Sequence, residues 1–289
     1  MELLLFNIFN GLVIGMFYAL MALGLSMILG LNAVINMAHG GFLIVGAYLA
    51  FTLDPYLGFW GALVAGPVAA GALGLVVERF LVKPLYKRNE PLYTLLLTFG
   101  LALVIQDLCR RIWGAQGLPF SIPESLDSPI SDALFFVTGY RALIVALTLA
   151  AAAALFLALR FTRLGIRIRA GTQDLETVAT LGVNIYVLRA LNFGLGCVFA
   201  GLAGVLAAGQ LGLTPTMGES LIMPSFVAII VGGVGSLVGS IFGGLIIGVA
   251  AGITTTYYPA ASEAVIYAIM ALVLVVRPRG LLGHEGLFE

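Results

Sequence analysis

The stretch RFTRLGIRIRAGTQDLETVATLGVNIYVLRALNFGLGCVFAGLAG, residues 160–204, holds two kinds of sequence that a water-soluble domain seldom joins. Its first half is the one long polar, charge-dense segment of the chain, with Arg160, Arg163, Arg167 and Arg169 followed by Asp174 and Glu176. After Arg189 the residues stay apolar for the length of a membrane span. A short arginine-rich loop between two hydrophobic spans marks the cytoplasmic side of a membrane.

The rest of the chain extends this pattern. Of its 289 residues, 61% are hydrophobic and 10% charged, where soluble domains carry about 25% charged residues. The mean hydropathy is +1.10. The expected fold is all-α, a polytopic membrane protein forming one transmembrane domain over residues 1–289. Runs free of Asp, Glu, Lys and Arg cover 3–53, 55–77, 91–106, 142–159, 190–218, 220–262 and 264–276. At about 20 residues per span, the first and sixth runs hold two spans each and the others one. That gives nine transmembrane helices, or eight if one segment is broken or re-entrant.

Three basic segments should be cytoplasmic. They are Glu78 to Glu90 with Lys83, Lys87 and Arg88, the loop 160–185, and the tail 277–289 that opens on Arg277 and Arg279. The loop 112–139 is acidic and proline-rich, with Pro119, Pro123, Glu124, Asp127, Pro129 and Asp132, and belongs on the opposite face. Between Arg189 and Arg277 four crossings fit: 190–209, 220–236, 238–256 and 260–276. The side of the N-terminus stays open, because no basic residue precedes Arg79. Met1-Glu2 is no basic n-region and the first apolar run exceeds an h-region, so no cleavable signal peptide is expected.

Motifs for chemistry are sparse. A P-loop needs a lysine after glycine to cradle phosphate, and neither Lys83 nor Lys87 follows one. No H-E-x-x-H or comparable metal pair occurs; His39 is alone in its region and His284 sits in the tail with Glu285. Cys109 and Cys197 stand far apart in apolar surroundings and read as small buried hydrophobes. Asp107, Glu219 and Glu263 fall at expected span ends, where an interfacial role explains them. Neither a cofactor nor a metal is expected.

Two stretches interrupt the apolar pattern from within. Residues 30–46, GLNAVINMAHGGFLIVG, carry Asn32, Asn36 and His39 with Gly40, Gly41 and Gly46. Residues 224–248, PSFVAIIVGGVGSLVGSIFGGLIIG, carry Gly232, Gly233 and Gly235. Polar, glycine-rich backbone at membrane depth is tolerated where protein buries it or where it lines a cavity, and transporters build midplane sites from such broken helices. The first stretch is then either a cytoplasmic turn or part of a substrate path. His39 has the same two readings, a turn-fixing histidine or a hydrogen-bonding group beside the path. Glycine and alanine at every fourth position, as in Gly244, Gly248 and Gly252 or Gly196, Ala200, Gly204 and Ala208, make grooves for close helix packing. Three glycines in four residues at 232–235 add a point of helix weakness.

These residues resemble a known family. LNAVINMAHGGFLIVGAYLA is similar to the N-terminal signature of permeases from branched-chain amino acid ABC importers, and FVAIIVGGVGSLVGSIFGGLIIG to their C-terminal signature. Residues 165–208 resemble the family's cytoplasmic coupling region, and the likeness runs from about residue 7 to 283. The resemblance implies a permease subunit in a bacterial inner membrane, paired with a second, paralogous permease. Two ATPase subunits and a periplasmic substrate-binding protein would complete an importer of branched-chain or related amino acids. Asn32, Asn36, His39, Gly40, Gly41, Gly232, Gly233 and Gly235 become candidates for the substrate path. Arg167, Arg169, Asp174, Glu176 and Gly182 become candidates for ATPase coupling; Glu176 and Gly182 keep the E-x-x-x-x-x-G spacing, although Thr177-Val178 replace two alanines. Many members carry glutamate after the His-Gly pair, where this chain has Gly41. Urea or short amides are alternative substrates within the family, and a stand-alone secondary transporter or channel is the alternative outside it.

Overall fold

The computed structural model describes residues 2–88, 90–129 and 137–283. Asp132, His284 and Glu285, named above, lie outside the described residues. Helices account for most of the described residues, among which the only β-type pairings are two isolated bridges.

Helix α1 (Glu2–Met27) runs on through one π-helical turn to Asn32. A six-residue gap precedes α2 (His39–Val77), which is not one rod: Gly58 has φ 68° and ψ 169° inside it. A Cβ built on Gly66 would meet the Gly46 carbonyl oxygen at 2.5 Å and Ala50 Cβ at 3.0 Å. Residues 20 positions apart on a straight helix would be separated by roughly 30 Å, so the chain folds back at Gly58 as a hairpin. Only glycine takes that φ at no steric cost. The hairpin returns through a π turn (Glu78–Val82) and a 3-10 turn (Lys83–Arg88) to α3 (Pro91–Trp113).

The short α4 (Glu124–Asp127) lies in the loop after α3, and α5 (Gly139–Phe161) leads back to the arginine-rich segment. That segment folds as two small helices, α6 (Arg163–Gln173) and α7 (Leu175–Thr180). Helices α8 (Ile185–Leu211), α9 (Met217–Gly232), α10 (Leu237–Tyr257) and α11 (Ser262–Val276) complete the chain. Side chains cap two of the helix starts: Asn184 Oδ1 accepts from the Tyr186 and Val187 amides at 3.1 and 3.2 Å, and Ser236 Oγ from the Gly239 amide at 3.0 Å.

Seven stretches are long and apolar enough to cross a membrane. The His39–Tyr86 stretch among them is the hairpin of two, and the 16-residue α9 adds a further apolar helix. Counted this way the described residues hold nine apolar helical segments, in the places that the uncharged runs indicate. Nine crossings, an odd number, would put Glu2 and Arg277 on opposite faces.

Burial ranks the helices. In α1 83% of the apolar window is buried and in α8 72%, against 6% in the Pro259–Val276 stretch, so α1 and α8 form the centre and α11 the rim. Glycine makes the central contacts. A Cβ on Gly248 would lie 2.5 Å from both the Gly11 oxygen and Gly15 Cα, and one on Gly46 2.5 Å from Gly201 Cα. With lipid tails as apolar as leucine, such van der Waals contact is what holds spans together.

At the C-terminal end of α9 residues 281 and 282 form a cap. The Leu281 amide donates to Val231 O and the Leu282 amide to Gly232 O, each at 2.9 Å. Gly233 sits beneath them at φ 109°, where a Cβ would strike the backbone of Gly283. Gly248→Ala should therefore lower the melting temperature of the detergent-solubilised protein, since overpacking of this kind costs about 1–3 kcal/mol. Gly100→Ala, where a Cβ meets nothing within 4 Å, should leave it unchanged or higher. Equal melting curves would refute the packing account.

Candidate functional site

The break between α1 and α2 lies within the bundle. A Cβ on Gly24 would fall 2.8 Å from His39 Nε2 and 2.5 Å from the Gly196 carbonyl oxygen. Gly196 is eleven residues into α8, about 17 Å of helix from its start. His39 therefore opens α2 some way into the bundle, while Asn32, bonded to the Arg189 carbonyl, stays near the start of α8. Helix α1 ends in αL geometry at Ala33 (φ 54°), and Thr98 of α3 ties the gap together: its hydroxyl accepts from the Met37 amide and contacts the Ile35 carbonyl, both at 3.1 Å.

Asn32 is the hub of a buried polar network. Its Nδ2 donates to the Tyr86 hydroxyl at 2.7 Å and to the Arg189 carbonyl at 3.1 Å. Its Oδ1 accepts from Asn192 Nδ2 at 2.8 Å, and the same Nδ2 also donates to Met27 O at 2.8 Å. The Tyr86 hydroxyl donates to Glu78 Oε1 at 3.1 Å, and the Arg189 guanidinium stacks 4.1 Å from the Tyr86 ring centre. Glu78 is 1% exposed. Sequence reasoning missed Glu78, Tyr86, Arg189 and Asn192. Glu78 and Arg189 bound apolar runs and read as loop charges, although an amide at position 192, inside a span, was a detectable signal.

Asn36 and His39 sit beside this network without joining it. Both are 0% exposed. The Met21 carbonyl is the backbone hydrogen-bond partner of the His39 ring, and the Asn36 amide has no partner among the described residues.

Gly40 and Gly41 line a separate groove of about 230 Å³ with Met37, Gln106, Gly218 and Glu219 among its walls. Backbone packs on backbone here: a Cβ on Gly40 would lie 2.6 Å from the Gly218 carbonyl oxygen. At position 41 a Cβ would meet Ile105 Cδ1 at 3.1 Å, so an isoleucine methyl holds the space that a longer side chain would need. Glu219 stands in the first turn of α9 and is exposed on this chain. It lies about 20 Å of helix from Gly232, at the opposite end of α9.

Gly232, Gly233 and Gly235 are not brought to Asn32, Asn36 and His39. They form the α9–α10 turn under the tail, and Gly235 opens into a larger cavity of about 770 Å³ whose walls include Ser26, Gly30, Arg160 and Arg169. Arg169 thus faces that cavity. Asp174 is the N-cap of α7, accepting from the Thr177 amide at 3.0 Å and from the Thr177 hydroxyl. Those two bonds, the hydroxyl's first, hold its carboxyl below the usual carboxylate range. The cap therefore stays ionised at neutral pH and fails as pH falls through its lowered pKa. Glu176 follows it, exposed, and Gly182 ends the turn at φ 83°. Leu181, 77% exposed beside it, is an apolar tip in a polar segment.

Residues 7–274 match the family profile described as the permease component of the branched-chain amino acid transport system. The chain belongs to that permease family. It is 31% identical to the high-affinity branched-chain amino acid permease protein LivH of Escherichia coli, covering 96% of this chain and 95% of LivH. It is 31% identical to BraD of Pseudomonas aeruginosa over 95% and 94% of the two chains. LivM of Escherichia coli is 27% identical over 92% of this chain and 68% of its own. The permease is thus a multi-pass membrane protein of a transport family that works by moving solute.

Within the permease, Asn192→Leu should destabilise the fold by about 1–3 kcal/mol, because Asn32 Oδ1 and Met27 O lose their donor in a buried site. Denaturant titration in micelles reads this directly. A change under about 0.5 kcal/mol would mean the network carries no weight.

Proposed function

We propose that the chain is one of two paralogous permeases in a bacterial inner-membrane ABC importer, moving branched-chain or related amino acids inward by alternating access. Two ATPase subunits dock on its basic face, and a periplasmic substrate-binding protein delivers substrate to the outer face. Family membership supports the class of machine, and the likeness to both LivH and LivM supports a core of two different permeases.

The observation that carries the mechanism is the course of α8. Its start follows directly on α7 and Gly182, capped by Asn184. Within its first eight residues Arg189 O and Asn192 bond to Asn32, at the edge of the α1–α2 break. A displacement of α6–α7 by an ATPase has a rigid helix to act on, and that helix is hydrogen-bonded to the broken segment. Residues 160–185 serve as the coupling loop, with Asp174 fixing the start of α7 and Glu176 and Leu181 presented to the ATPase. Arg167 and Arg169 supply the positive rim, 112–139 forms the outer loop, and 277–289 is a cytoplasmic tail.

Glu176→Ala and Leu181→Asp should each lower ATP-driven uptake by about tenfold, the loss of one charged or apolar interface contact. Native mass spectrometry should show the two permeases still paired and the ATPases reduced. Full uptake with both substitutions would remove α7 from the coupling role.

A further inference from the structure

The groove between α2, α3 and α9 carries features that the importer reading leaves unused. The helical run from His39 to Gly58 opens without a side-chain cap and without an acidic residue in its first turn. At that end the His39 amide donates to Asn36 O and the Phe42 amide to Ala38 O, while the amides of Gly40 and Gly41 have no acceptor among the described residues. Free amides at a helix start, with the helix dipole behind them, bind a carboxylate. Gly218 packs on Gly40, so the start of α9 lies alongside, and there Glu219 supplies a negative charge in the first turn. Gln106 lines the same groove, is 6% exposed and leaves its Nε2 without an acceptor. The remaining wall is apolar, with Ile44, Phe99, Leu103 and Ile222.

The geometry points to a site for one zwitterionic α-amino acid with an aliphatic side chain. Its carboxylate takes the Gly40 and Gly41 amides and the Gln106 Nε2. Its ammonium pairs with Glu219, and its side chain lies on Ile44, Phe99, Leu103 and Ile222. The volume of about 230 Å³ falls below the roughly 300–1,000 Å³ of drug-sized pockets and suits a solute of this size. Glu219 is exposed on this chain, so the second permease closes the groove, which places the site between the two subunits. A glutamate in place of Gly41 would meet Ile105 and set a second negative charge beside the carboxylate position; glycine keeps the amides approachable. This inference rests on the importer reading and specifies the site that reading requires.

The test uses the full importer complex in proteoliposomes, with L-leucine, L-valine and acetamide as probes. Glu219→Gln and Gln106→Leu should each reduce amino acid uptake by about tenfold or more, the expected loss for a hydrogen bond to a charged group. Glu219→Asp should recover most of it, which a merely structural carboxylate would not require. Amino acid uptake within twofold of the unmodified complex in both Glu219→Gln and Gln106→Leu would overturn the site and leave the importer reading standing. Uptake of acetamide but of no α-amino acid by the unmodified complex would overturn both. Should the variants fail to assemble, Met223→Cys at the groove wall gives a second reading in an otherwise unmodified site. L-Leucine should slow its alkylation by a water-soluble maleimide about threefold or more, as occupancy at several times Kd requires, and an unchanged rate would overturn the proposal.

Discussion

Backbone amides and carbonyls inside a bilayer have no water to fall back on, and the gap between Asn32 and His39 exposes several of them at once. The structure meets that demand with side chains from other helices: Thr98 of α3 serves Ile35 and Met37, and Asn32 reaches the Arg189 carbonyl of α8. Asn192 in turn serves Met27, at the end of α1. These bonds fix where α3 and α8 stand relative to the break, so much of the central packing follows from the need to satisfy six residues of irregular chain. Asn36, whose amide has no partner among the described residues, lies at the same place.

Close helix approach is the second constraint and depends on the first. Interhelical bonds of about 2.8 Å between short side chains such as Asn32 and Asn192 require backbones nearly in contact. The glycines at 24, 196, 201, 204, 244 and 248 provide that contact, with α1 and α8 at the centre of the bundle. Larger residues at those positions would separate the helices and pull the network apart. The small-residue ridges and the polar network are two aspects of one packing solution.

The span plan was legible because hydrophobic length and charge placement are local properties of the chain. The turn at Gly58 falls just past Asp54, where the first uncharged run ends, and the four crossings after Arg189 lie where they were expected. The polar character of the arginine-rich segment was legible, and the structure places Asp174, Glu176 and Gly182 there at a cap, a first turn and a positive-φ stop. What the sequence could not show was partnership across distance. Nothing near Glu78 announces a bond to Tyr86, and nothing near Glu219 announces that α9 starts against Gly40. The glycines at 232–235 were grouped with His39 on composition, yet they serve a different turn, because composition carries no information on which breaks share a neighbourhood.

The tail that covers the α9–α10 turn has a consequence for biosynthesis. The last two carbonyls of α9, at Val231 and Gly232, find their donors at Leu281 and Leu282, about fifty residues further along the chain. Helices α10 and α11 must both be threaded into the bilayer before those donors arrive. During synthesis, therefore, the end of α9 waits open at the membrane surface while α1, α2 and α8 already have the residues they need to pack. The end of α9 is thus closed only after two further helices have been made and packed.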